Sequence, residues 1–246
     1  YTTINKSTDY FNTKLYTGTG SSQAITGVGF QPDFTWIKQR TGSTEHLLFD
    51  AIRGVTKALN SNDNTAEDTI SNSLTAFGSD GFTVEGNNSS GAGSGSTYAS
   101  WNWKAGTTGS GTTTGSGTGK AYSYSVSTAS GFSIIKYVGN GTAGHTIPHH
   151  LGATADFVIV KALGNTESWQ VISKAMDADK FIQLDSNNVE MSQGSYNMFN
   201  STRPSSTVVT LGNQNHTNQD GINYIMYAFA EKTGYSKFGS YTGNGN

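Results

Sequence analysis

The chain states one motif three times, and the spacing of the copies limits what it can fold into. Tyr16-Thr-Gly-Thr-Gly20 opens one unit, Tyr137-Val-Gly-Asn-Gly141 opens a second, and Tyr241-Thr-Gly-Asn-Gly245 lies at the end of the sequence. The echo continues downstream. Asp33-Phe-Thr-Trp-Ile-Lys38 matches Asp156-Phe-Val-Ile-Val-Lys161, and Tyr98-Ala-Ser-Trp-Asn-Trp103 matches Tyr224-Ile-Met-Tyr-Ala-Phe229. A period above a hundred residues is too long for a solenoid, so the reading is two beads joined along the chain. Each bead is long enough to bury a core of its own. The expected boundaries are 1–106 for the first module, 107–130 for a Gly/Thr/Ser-rich linker with a joining strand, and 131–240 for the second module. Residues 241–246 read as the start of a third.

Charge offers little to a partner. Fifteen basic residues stand against seventeen acidic ones, with no run of either sign, so no nucleic-acid or anionic-membrane footprint is present. Only 13% of residues are charged, while glycine alone accounts for 31 positions, a composition suited to turns and exposed strands outside the cytosol. No cysteine occurs, which excludes disulfides and thiolate metal sites. No apolar run reaches the ~18 residues of a membrane helix.

Strand signals dominate. Phe34–Lys38, Ser133–Tyr137, Phe157–Lys161 and Thr207–Leu211 are short β-branched or aromatic runs bounded by turn residues. Thr75–Phe77 and Phe82–Val84, joined through Asp80-Gly81, read as a hairpin. In the closing strand of the first unit, Ala99, Trp101 and Trp103 share one face, expected to be the core face. Tyr98, Ser100, Asn102 and Lys104 share the other. The corresponding apolar face in the second unit holds Ile225, Tyr227 and Phe229. Ala51–Gly54 and Ser173–Asp177 have room for about one helical turn each. The expectation is all-β: two tandem antiparallel β-sandwich domains of concanavalin-like jelly-roll type, related by duplication. The polar tracts Ala105–Gly119 and Ser89–Thr97 read as a flexible or extended linker and a solvent-exposed loop.

Chemistry-bearing patterns are sparse. Gly139-Asn-Gly-Thr-Ala-Gly144 fits the dinucleotide G-x-G-x-x-G spelling, but no helix can start at His145-Thr-Ile-Pro148, so a turn between strands is expected. His145, His149 and His150 read as a loop cluster without metal, having no close Cys, Asp or Glu. Asn60–Glu67 is oxygen-rich but has Thr65 where an EF-hand needs glycine, leaving only an irregular calcium site open; no cofactor is expected. Asp50, Glu67, Asp68, Asp80 and Glu85 read as turn carboxylates, not as a catalytic pair, and no nucleophile elbow occurs. No enzymatic activity is expected. Exposed rings near polar loops remain the glycan-binding candidates: Trp169, Tyr196 and Tyr235.

Tyr1-Thr-Thr-Ile-Asn5, the YTGxG openers, Gly29-Phe-Gln-Pro-Asp-Phe-Thr-Trp-Ile-Lys38 and Trp101-Asn-Trp-Lys-Ala-Gly106 together resemble a repeated module of bacteriophage tail-fibre and appendage proteins, of marine phage type. Tyr235–Gly245 looks like that family's junction between modules. The resemblance implies a virion-surface structural or host-recognition role with concanavalin-like sandwiches, and it transfers no catalytic or ligand residues. The family often has His-Gly-Leu-Gly where this chain has His149–Gly152, which implies a structural His150. The expectation is a virion tail-fibre or appendage segment that assembles with copies of itself, a trimer favoured, and with other virion proteins. It would attach weakly and multivalently to host-surface carbohydrate. The alternatives are a capsid or filament decoration protein without ligand, and a polysaccharide-degrading spike.

Overall fold

A computed structural model describes residues 2–245 of the chain. The fold is all-β with antiparallel sheets, as the strand patterns imply. The first half comprises β1 (Phe11–Thr17), β2 (Gln23–Ile25), β3 (Phe34–Gln39), β4 (Leu47–Asp50), β5 (Lys57–Asn60), β6 (Asp68–Thr69), β7 (Leu74–Gly78), β8 (Gly81–Val84) and β9 (Thr97–Trp103). The second comprises β10 (Thr107–Thr112), β11 (Thr114–Gly115), β12 (Ala121–Ser127), β13 (Phe132–Val138), β14 (His145–Pro148), β15 (Phe157–Ala162), β16 (Gln170–Ser173), β17 (Lys180–Gln183), β18 (Met191–Ser192), β19 (Val208–Leu211) and β20 (Asn223–Phe229).

Two large sheets dominate. The first runs β1-β9-β3-β4-β5-β6, and the second contains β13-β20-β15-β16-β17-β18, the same order strand for strand. Each large sheet faces a three-stranded sheet, β2-β8-β7 in the first half and β11-β14-β19 in the second. Ile37, Phe49, Phe82, Val84 and Tyr98 fill the first of these cores. Ile135, Val158, Val160, Val209 and Met226 help fill the second.

The repeated residues make repeated contacts. Tyr16 stacks on Tyr98 at 5.1 Å between ring centroids, and Tyr137 stacks on Tyr224 at 5.2 Å. Tyr16 Oη donates to the Gly91 carbonyl at 2.8 Å, and Tyr137 Oη to the Thr217 carbonyl at 2.6 Å. Asp33 and Asp156 both start their strands by accepting a downstream backbone N–H, from Ala105 and Glu231, at 2.8 Å each. The glycines after the tyrosines are close-approach positions. A Cβ on Gly18 would lie 2.4 Å from the Gly93 carbonyl oxygen, and one on Gly139 would lie 2.3 Å from that of Gln219. The polar tract expected as an exposed loop is therefore not exposed throughout. Ser90 to Gly93 are buried because the Tyr16 motif packs on them.

The halves are not separate beads. Their large sheets lie face to face and share a third core containing Phe34, Leu48, Phe132, Ile134, Ile159 and Tyr227. This corrects the orientation expected for β9. The alternation is present, but Tyr98, Ser100 and Asn102 are the buried face of the first sandwich. Trp103, on the other face, packs against the core between the halves. Having a core on each side also explains why Phe157–Ala162 is almost wholly apolar.

The 107–130 segment is likewise no flexible spacer. β10 pairs with β12, and β12 with β13, which extends the second sheet beyond the six shared positions. Glycine is needed in β10 because Tyr122 and Tyr124 lie over it. A Cβ on Gly109 would come within 2.6 Å of Tyr124, and one on Gly111 within 2.9 Å of Tyr122. Aromatic rings covering glycines on a neighbouring strand restore the packing that glycine lacks.

Candidate functional site

The space between the two large sheets is incompletely filled. It contains a half-open cavity of about 370 Å³. Its floor is formed by the buried side chains of Phe34, Leu48, Phe132, Ile159, Trp169 and Tyr227. Phe11, Trp36, Trp103, Leu184, Tyr235 and Phe238 are more accessible and line it as well. Each half contributes a wall because β3, β4 and β9 oppose β13, β15 and β20.

Two polar contacts tie the sheets together beside the cavity. Trp169 Nε1 donates to the Asn60 carbonyl at 2.8 Å, and Tyr227 Oη donates to Asp50 Oδ2 at 2.7 Å. Asp50 also accepts Arg53 Nε at 2.5 Å, and Arg53 reaches Glu67 at 3.1 Å and the Leu48 and Lys57 carbonyls. This buried network keeps the guanidinium charged despite its desolvation, while burial and the Asp50 charge raise the Tyr227 phenol well above its ordinary range. Asp50 and Glu67 are therefore structural partners of Arg53, and Asp50 is fully buried, not a solvated turn residue. At another side Phe238 stacks on Phe157 at 5.2 Å. Tyr235 has its phenol pushed up to about 12 by burial and the nearby Tyr10.

The three sequence candidates separate. Trp169 is 0% exposed and belongs to the inter-sheet core, so its ring offers no surface platform. It is buried because the residues leading into β16 are covered on this side by the other half of the chain. Tyr196 is 48% exposed, with its ring edge on Phe181. Tyr235 is partly buried and lines the cavity, so Trp169 and Tyr235 meet there while Tyr196 does not. Phe34, Trp103, Phe132 and Phe229 pack together in the core between the halves, a pairing of two faces that neither strand's own pattern states. The signal for Trp103 and Phe229 lies in Ala99/Trp101/Trp103 and Ile225/Tyr227/Phe229, two apolar faces at matched positions.

The remaining motifs are structurally occupied. His145 is buried on β14 instead of in a loop, with Nδ1 3.1 Å from Asn218 Oδ1 and Nε2 2.6 Å from Thr113 Oγ1. His149 Nε2 is 3.2 Å from the Ser205 carbonyl, and the His150 ring stacks 3.8 Å from Tyr124. Burial lowers the pKa of all three. Among the described residues, no three His, Cys, Asp or Glu side chains gather as a metal site. In the calcium-like loop, Asp63 accepts from Thr65 and Asn60, and Glu67 from Arg53. Gly139–Gly144 is the turn between β13 and β14.

One family spans residues 6–246, covering both halves and the cavity between them. The chain belongs to the family described as a domain of unknown function, DUF7483. That single match treats the two sandwiches as one unit, in keeping with their shared core. No curated protein and no solved structure matches the chain. Among the described residues no helix is long and apolar enough to cross a membrane.

Proposed function

We propose that the chain is a structural segment of a virion appendage of the tail-fibre type, built by duplicating one β-sandwich unit. The observation that carries this reading is the doubled geometry of the YTGxG motif. The same tyrosine stack and the same glycine close approach occur in both halves, on the same strand order. Repeating one rigid unit suits lengthening a structure better than assembling a single catalytic site. The resemblance to phage appendage modules supplies the location, the particle surface.

Two unlike sheet edges support assembly with further copies. β1 ends the six-stranded sheet and β10 ends the eight-stranded one. β1 carries Leu15, 64% exposed, and β10 is a polar, uncharged run. Unpaired edges present free backbone groups to another strand, and joining two different edges head to tail gives a closed ring where the rotation closes and an open array where it does not. A closed trimer along a fibre axis is the favoured arrangement. Host-surface carbohydrate would be held weakly at several copies at once, with Tyr196 the remaining exposed candidate ring.

The test is the mass of the purified chain in solution, together with its retention on host cells or their envelope glycans. A homo-oligomer that adheres to cells supports the reading. A monodisperse monomer at high concentration with no cell binding overturns it.

A further inference from the structure

Protein interiors rarely leave voids larger than a water molecule, and an apolar void costs stability in proportion to its size. The cavity between the large sheets departs from that rule, and polar contacts cross between the sheets beside it. Tyr227–Asp50 and Trp169–Asn60 bridge the sheets on one side, while Phe238 stacks on Phe157 on another. The two hydrogen bonds fix one sheet against the other, while the Phe238–Phe157 stack lies within the second half.

The lining identifies what would fill it. Among the described residues no charged side chain lines the cavity, and aromatic rings from both sheets form its walls. An apolar cavity of about 150 Å³ accommodates benzene, so the 370 Å³ present here suits a molecule of roughly two fused rings. One polar group also points to a ligand. Ser130 lines the cavity at 3% exposed, and its Oγ has no hydrogen-bond partner among the described residues. A buried hydroxyl of this kind ordinarily has one.

We propose that the inter-sheet cavity is a binding site for a neutral two-ring aromatic molecule carrying a hydroxyl group. Its rings lie between the walls from the two halves, and its hydroxyl pairs with Ser130 Oγ. A pocket of this volume with apolar walls and few polar groups is the usual form of a small-molecule site. The inference is independent of the virion reading, since it concerns a site made within one chain.

Calorimetric titration of the full chain with 2-naphthol tests it, with 2-naphthalenesulfonate as the charged counterpart. The expected result is saturable one-to-one binding of 2-naphthol and at least about tenfold weaker binding of the sulfonate, whose charge has no partner in the cavity. Ile159→Phe, which fills the floor, abolishes 2-naphthol binding while circular dichroism shows an intact fold. Ser130→Ala, which removes only a hydroxyl, weakens it several-fold and leaves naphthalene binding unchanged, and it decides the matter if Ile159→Phe does not fold. Absence of saturable 2-naphthol binding overturns the proposal. So does unchanged 2-naphthol affinity in the folded variants.

Discussion

Tyr227 in the second half donates its hydroxyl proton to Asp50 in the first, at 2.7 Å and out of contact with solvent. The carboxylate at the receiving end is already bound to Arg53, so the hydrogen bond joins the halves to a buried charge. Hydrogen bonds to charged groups contribute about 1.5–3 kcal/mol. Tyr227→Phe keeps the ring and removes the bond, and is expected to lower the urea midpoint by an equivalent amount with an unchanged slope. A variant that unfolds in two transitions would show instead that the halves are independent.

Trp169 and Tyr196 were equal candidates from sequence, and the structure separates them by burial. Trp169→Ala is expected to cost about 3–5 kcal/mol through the cavity it leaves. Tyr196→Ala is expected to stay within roughly 1 kcal/mol. Denaturant titration of the two variants checks this, and equal losses would contradict the placement of Trp169.

The matched glycines predict matched damage. A methyl group at Gly18 or Gly139 meets backbone carbonyl atoms, which cannot move aside as a side-chain end can. Gly18→Ala and Gly139→Ala are each expected to destabilise by about 1–3 kcal/mol, the usual range for overpacking. Gly164→Ala, whose nearest neighbours are Ile222 carbons at 3.9 Å, serves as the control. The thermal midpoints of the three variants would reveal any departure.

Acid should weaken the fold through its buried imidazoles. Burial lowers the pKa of His145, His149 and His150 below the ordinary 6.5. In the window below that value the unfolded chain binds more protons than the folded one, so stability falls as pH drops. His145→Gln should flatten the fall between about pH 6.5 and 5. Midpoints in urea at several pH values report it, and a wild-type fold that gains stability toward pH 5 would refute the sign.

Lys161 acts in the alkaline window. Its ammonium donates to the Ala162 and Asn165 carbonyls, but burial lowers its pKa to about 8 from an ordinary 10.5. Between those values the unfolded chain carries the extra proton, so this group adds stability as pH rises from about 8 toward 10. The buried tyrosines have raised pKa values and oppose the gain above about pH 10, where unfolded phenols ionise. Comparing Lys161→Met with the wild-type chain isolates the lysine. The variant should lack the rise, and parallel pH profiles would count against it.

The strands and the repeat were legible because local pattern encodes them: β3, β13, β15 and β19 all coincide with short β-branched or aromatic runs. What could not be read was the direction each face looks. The Trp101/Trp103 face reads from sequence as a sandwich interior, since periodicity marks an apolar face without naming what covers it. Its cover comes from the other half, with Phe132 and Tyr227 in the core it packs against. The same non-local burial hid Trp169 and the cavity. The Gly/Thr tract at 107–112 misled because glycine signals a linker, whereas here it makes room for Tyr122 and Tyr124.

Each large sheet receives its final strand in an interior position. β9 enters between β1 and β3, and β20 between β13 and β15. During synthesis, therefore, the first sheet remains split until β9 has left the ribosome, and the second until β20 has done so. Topologies closed by such distant pairings fold slowly and expose unpaired strands while they wait. A nascent chain of this kind is most exposed to aggregation just before its last strand arrives, and translation speed over the segment preceding β20 should govern how much of it is recovered folded.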